Sequence, residues 1–229
     1  MTLHPIAHMQ SDFPAKFGIP RQSGVVPALT GAIIFTPPYR DPEALRGLSD
    51  FSHLWLIWGF SAVGDDGSRP GWSPTVRPPR LGGNARMGVF ATRSPNRPNP
   101  LGLSAVEIAD IAQDPKLGPL IRVRGGDLLD GTPIYDIKPY LPYADSLPEA
   151  VGGFADAACE PTLAVEVSAE HLAHLPPEKW AALRGILALD PRPPYQCDPL
   201  RVYGLQFAGC EVKFRVMNGV LTVVEIHPL

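Results

Sequence analysis

Apolar residues in this chain come in short runs separated by glycine and proline. β-like runs occupy residues 28–35, 53–60, 87–92, 103–111 and 120–124, each bounded by turn-forming residues, and their spacing predicts a barrel or a sandwich. The run HLWLIWGF at 53–60 is apolar on both parities, which predicts a strand buried on both faces or lying at a subunit contact. Residues 42–48 predict a short helical turn, because Asp41 can cap it and Ala44, Leu45 and Leu48 follow at helical intervals. The 28 prolines among 229 residues are about twice the usual share. They favour short strands joined by structured loops over long helices.

Beyond Tyr143 the pattern changes. Residues 144–161, ADSLPEAVGGFADAACEP, are small, acidic and weakly patterned, as a linker is. A helix is predicted over 177–189, where Trp180, Leu183, Ile186 and Leu187 share a face, with its end before Pro191. Two alternating runs, 211–216 and 220–226, flank Asn218-Gly219, a strong hairpin signal. The reading is therefore a mainly β first domain over 1–146 and a smaller α+β domain over 147–229.

Composition changes this picture little. Hydrophobic residues at 45%, charged residues at 19% and a net charge of −3 describe an ordinary globular chain. No basic, apolar leader opens it and no apolar run reaches membrane-spanning length, so a cytoplasmic protein without a membrane partner is expected. Three widely spaced cysteines, Cys159, Cys197 and Cys210, support neither a disulfide framework nor a zinc knuckle, and His171 with His174 lacks a third ligand at metal spacing. No metal is assigned.

The distribution of charge is more informative. Between Gly67 and Ser104 lie Arg69, Arg77, Arg80, Arg86, Arg93 and Arg97, with no lysine and no acid. Guanidinium forks onto phosphate and carboxylate, and the interleaved Pro74, Pro78, Pro79, Pro95, Pro98 and Pro100 stiffen the backbone that carries it. Gly82 and Gly83 allow close approach of backbone to a ligand. A surface for an anionic partner is one reading, and a solvated basic loop is the other. A second candidate site is GGDLLDGTPIYDIKPYLPYAD, in which Asp127, Asp130, Asp136 and Asp145 can hold ligand donors or take a proton, or can serve only as turn residues. Dinucleotide, P-loop, nucleophile-elbow and HExxH signatures are absent from the sequence.

Four segments carry a resemblance. KFGIPRQSG (16–24), LRGLSDFSHLWLIW (45–58), RPPRLGGNARMGVFATRSPNRPNPLGLS (77–104) and LLDGTPIYDIKPYLPYADS (128–146) closely resemble the TrmO family, also called TsaA-like or YaeB, and DPRPPY (190–195) before the terminal hairpin extends the match. The resemblance implies a single-sheeted β-barrel that uses S-adenosyl-L-methionine, works as a homodimer, and methylates N6 of N6-threonylcarbamoyladenosine at position 37 of threonine tRNAs. It carries cofactor contacts onto Arg21, Gln22, Phe60, Ser61, Arg93, Leu103 and Asp127. The first motif departs from the family, with IAHMQSDF at 6–13 where relatives read close to IGVIRSPY.

Methyl transfer to a urea-like nitrogen needs positioning, electrostatics and a proton acceptor, for which Asp136 and Asp127 are the candidates. Arg77, Arg80, Arg86 and Arg97 are assigned to tRNA, with no DNA partner expected. Two other classes are weighed. A non-catalytic RNA-binding module leaves PRQ and the acidic loop without a task, and an arginine-lined enzyme for a small anionic metabolite would show weak salt dependence.

Overall fold

The computed structural model describes residues 2–60, 72–78, 81, 85–156, 162–193, 196 and 198–229. Ser61, Arg69, Arg80, Gly82, Gly83, Cys159 and Cys197, and the last two residues of DPRPPY, lie outside the described residues. The strands in chain order are β1 (Ala7–Ser11), β2 (Thr30–Phe35), β3 (His53–Gly59), β4 (Thr75–Val76), β5 (Met87–Gly88), β6 (Leu101–Asp114), β7 (Gly118–Arg124), β8 (Pro133–Pro139), β9 (Ala164–Glu166), β10 (Tyr203–Phe207), β11 (Cys210–Met217) and β12 (Val220–Pro228). The α-helices are α1 (Pro142–Asp145), α2 (Ala169–Leu172) and α3 (Trp180–Ala188).

Six strands close an antiparallel barrel in the order β1-β2-β7-β6-β3-β8, with β8 returning to β1 through Ala7 opposite Ile134. Alternation explains its core. In β3, Leu54, Leu56 and Trp58 point inward, joined by Met9, Ile33, Phe35, Val106, Ile121, Val123, Leu128 and Ile134. The intervening His53, Trp55 and Ile57 are exposed or half-buried, so the run that was apolar on both parities has one buried face and one partly covered face. Closure removes free strand edges.

The second unit is a sheet in the order β10-β11-β12-β9, covered by α3 through Ala182, Leu183, Ile186 and Leu187. Its hairpin turns at Asn218 (φ 52°) and Gly219 (φ 78°), the paired left-handed conformations that Asn-Gly favours. Sequence order does not divide the two cores cleanly at residue 146. Phe13, Val26 and Leu29, which precede β2, are buried in the second core, and the Phe13 ring lies 5.3 Å from that of Phe207. Lys179 Nζ, at the start of α3, reaches back to Asp12 Oδ2 at 2.6 Å and Thr30 Oγ1 at 2.8 Å. The loop between β1 and β2 is therefore held from both sides.

The predicted strand at 87–92 survives only as β5, because Val89–Ala91 closes into a 3₁₀ turn. The predicted turn at 42–48 is a 3₁₀ helix over Pro42–Leu45, with Asp41 Oδ1 accepting from Glu43 N at 2.9 Å.

Candidate active site

The β1–β2 loop carries Arg21 and Gln22, and one glycine contact seats it. Gly24 N–H donates to the Gly125 carbonyl at 2.8 Å, and a side chain on Gly125 (φ +70°) would begin 3.2 Å from the Gly24 backbone. The loop thereby lies against the end of β7, from which the chain runs directly into Asp127.

The arginine segment meets the same place from the other side. Arg93 contacts Gln22 through its guanidinium. Arg97 folds inward, donating to the carbonyls of Ser94 at 3.0 Å, Val89 at 3.1 Å and Thr92 at 2.6 Å, so it braces its own loop. Around these groups lies a cavity of about 660 Å³, lined by Ile19, Arg21, Gln22, Trp58, Phe60, Arg93, Arg97, Leu101, Leu103 and Asp127 among others. That volume suits a nucleotide-sized ligand, since small-molecule sites run from about 300 to 1,000 Å³. A wider depression of about 1300 Å³ adjoins it and gathers Arg77, Arg86, Phe90 and Phe154 beside Arg21 and Arg93.

Asp127 is the one carboxylate among the described cavity residues. Burial pushes its carboxyl above the ordinary aspartate value, while Ser104's hydroxyl, backbone N–H groups including that of Ser23, and the positive charge of Arg93 pull it back. Ser104 Oγ donates to Asp127 Oδ1 at 2.7 Å and accepts from Trp58 Nε1 at 3.0 Å.

The other acids have different tasks. Asp130 accepts from Ser11 N at 2.9 Å beside the left-handed Gly131, which is turn chemistry. Asp145 accepts from Trp55 Nε1 at 3.0 Å and Leu141 N at 2.7 Å. Asp136 pairs with Lys138 at 2.9 Å and lines neither cavity. The cause is a bulge: Ile134 pairs with the inward Trp58 but Asp136 with the outward Ile57, so the extra residue turns Asp136 to the outer face. Asp136 is thus separated from the site, against the sequence expectation.

The structure brings Arg21, Gln22, Phe60, Arg93, Arg97, Leu103 and Asp127 together at the first cavity. Sequence reasoning passed over Ser104 and Lys16. Ser104 had a visible signal, a hydroxyl at an inward position of a strand whose inward neighbour is Val106.

Two family models match the chain. The tRNA-methyltransferase O N-terminal domain matches residues 8–146 and the TrmO C-terminal domain matches residues 160–229. The chain belongs to the TrmO family. It is 41% identical to the tRNA (adenine(37)-N6)-methyltransferase of Escherichia coli, over 97% of this chain and 96% of that one. It is 42% identical to a putative S-adenosylmethionine-dependent methyltransferase of Pseudomonas aeruginosa, over 92% and 90%. A crystal structure of TrmO from P. aeruginosa superposes with a TM-score of 0.79 at 34% identity, covering all of this chain and 97% of the other. The mainly β barrel is therefore the TrmO fold.

The cavity residues fit the cofactor of such TrmO relatives. A sulfonium amino acid nucleoside presents a carboxylate, an ammonium group, ribose hydroxyls and a flat base. The cavity offers guanidinium groups at Arg21 and Arg93, a carboxylate acceptor at Asp127, and an apolar wall from Phe60, Leu101 and Leu103. Phe60 also packs on Trp58, with ring centroids 4.4 Å apart.

Proposed function

We propose that this S-adenosylmethionine-dependent tRNA methyltransferase transfers its methyl group to N6 of N6-threonylcarbamoyladenosine at position 37, beside the anticodon of threonine tRNAs. The observation that carries the reading is the convergence of PRQ, Arg93, Leu103 and Asp127, from four distant segments, on one cavity beside an arginine-lined depression. When bound, S-adenosylmethionine supplies an electrophilic methyl group. Arg21, Gln22, Arg93 and Asp127 would hold it, with Phe60 and Leu103 against its base.

The protein then works by orientation and field. Arg77 and Arg86 offer guanidinium groups to RNA phosphates, or to the threonyl carboxylate that distinguishes this nucleoside. Methylation also requires N6 to lose a proton, and Asp127 is the carboxylate available at the cavity, with burial favouring its acceptance of one. A non-catalytic RNA-binding module would leave PRQ, this carboxylate and the cavity without a task.

We also propose a cytoplasmic homodimer acting on tRNA, with neither DNA nor membrane as partner. Among the described residues no helix is long and apolar enough to cross a membrane. Leu103, Tyr143 and Leu147 are exposed, and the outward Trp55, Leu101 and Leu103 also line the cavity, so a second copy docking there would close the site.

Purified protein incubated with S-adenosylmethionine and threonine tRNA bearing threonylcarbamoyladenosine should yield its N6-methyl derivative by nucleoside mass spectrometry. Methylation elsewhere in the tRNA, or none, would refute the assignment.

A further inference from the structure

The buried chain from Trp58 through Ser104 to Asp127 points to a task outside the cofactor contacts themselves. Ser104 is 1% exposed and sits inside the barrel on β6, where register pairs it with Leu56 and puts Trp58 opposite Gly102. That glycine is needed: a Cβ there would begin 2.2 Å from the Trp58 ring, so only glycine lets the indole lie across the strand. The indole N–H then occupies the acceptor side of the Ser104 hydroxyl at 3.0 Å, and the hydroxyl proton goes to Asp127 Oδ1 at 2.7 Å. An indole N–H can only donate. With one lone pair of the hydroxyl taken by the indole, its single proton is aimed at Asp127, and the chain ends on a carboxylate at the cavity wall.

We propose that Ser104, oriented by Trp58, is a positioning residue that aims Asp127 into the cavity and keeps it there as a hydrogen-bond acceptor for a donor group of the ligand. In its ligand-binding half this rests on the functional reading above. Ser104 lines neither cavity, so its effect passes through the two lining residues it bonds, Asp127 and Trp58, and the D127N background below separates the two routes. A freely rotating hydroxyl in this place could accept from a protonated carboxyl as readily as donate to an ionised one. The indole takes one of the hydroxyl's two lone pairs and so biases it toward donating. Around the same carboxylate, Arg93, Arg21, Arg97 and Lys16 are the charged side chains that share the cavity. Of these, Arg93 is the charge that favours the ionised form, and Ser104 adds a directed bond to it.

The experiment is a carbon-13 NMR titration of the Asp127 carboxyl in the ligand-free protein, assigned with D127N, for wild type, S104A and W58F. Loss of a hydrogen bond to the ionised form should raise the Asp127 midpoint by about one to two pH units in S104A. W58F keeps the hydroxyl but frees its rotation, so a smaller shift in the same direction is expected, and this variant serves if S104A fails to fold. Calorimetry with S-adenosylhomocysteine completes the test. S104A should bind more weakly than wild type by a factor that grows as pH falls toward the midpoint its own titration gives, while in a D127N background S104A should change nothing further. Unchanged midpoints in both variants would overturn the proposal. Shifted midpoints with no S-adenosylhomocysteine bound by wild type would uphold the positioning chain and refute the functional reading instead.

Discussion

Asp127 sets a trade between stability and function at a single residue. Its carboxyl is held above the ordinary value chiefly by burial, so the ionised form costs the folded state a desolvated charge. The folded protein holds the proton more tightly than the unfolded chain. Stability from this group is therefore greatest below the unfolded value of about 3.9 and falls as pH rises through the folded one. Asp127→Asn removes the charge and should melt at a higher temperature than wild type at pH 7, with the advantage vanishing at strongly acid pH, as calorimetric scans would register. The same change should weaken S-adenosylmethionine binding about tenfold or more. The two loop arginines divide differently. Arg97 donates to three backbone carbonyls, so Arg97→Ala should cost about 2 kcal/mol of stability in denaturant titrations. Arg93 is exposed, and Arg93→Ala should leave the melting temperature nearly unchanged while raising the cofactor dissociation constant. If Arg93→Ala melted as early as Arg97→Ala, the arginine segment would be one structural unit without that division.

Among the elements, the β1–β2 loop depends on a close passage of two glycines. Gly125→Ala adds left-handed strain of about 1–2 kcal/mol and sets a methyl against the Gly24 backbone. The Arg21-Gln22 stretch should then draw away from Asp127, and equilibrium dialysis should find weaker cofactor binding than the loss of stability alone explains. Much of this architecture was legible in the chain. The β-like runs at 53–60 and 103–111, bounded by turn residues, announce β3 and β6, and Asn218-Gly219 announces the terminal hairpin, because each signal is local. β8 was hidden: PIYDIKP does not alternate, since its bulge moves Asp136 outward while Ile134 and Ile137 pack in the barrel core. β1 was obscured by the departure of IAHMQSDF from the family pattern. At the site, PRQ, Arg93 and Asp127 could be named from resemblance, but the bracing role of Arg97 depends on which carbonyls its loop turns toward it, and no residue pattern records that.

For the whole molecule, the placement of Phe13, Val26 and Leu29 in the core of the second sheet joins two units that sequence order separates. Phe13→Ala should cost about 3–5 kcal/mol and lower the melting of both units together, although the residue precedes β2. Two well-separated calorimetric transitions in the wild type would exclude that coupling. There is also a consequence for the bound state. A ligand that binds only the folded form stabilises it by mass action, and the stabilisation spreads to whatever must unfold with its site. Arg21 and Gln22 contact the cavity from one side of a loop whose other side packs beneath β10, β11 and β12. Amide hydrogen exchange in β11 and β12 should therefore slow when S-adenosylhomocysteine is added, so that the methyl donor acts as a folding ligand for a sheet it never touches.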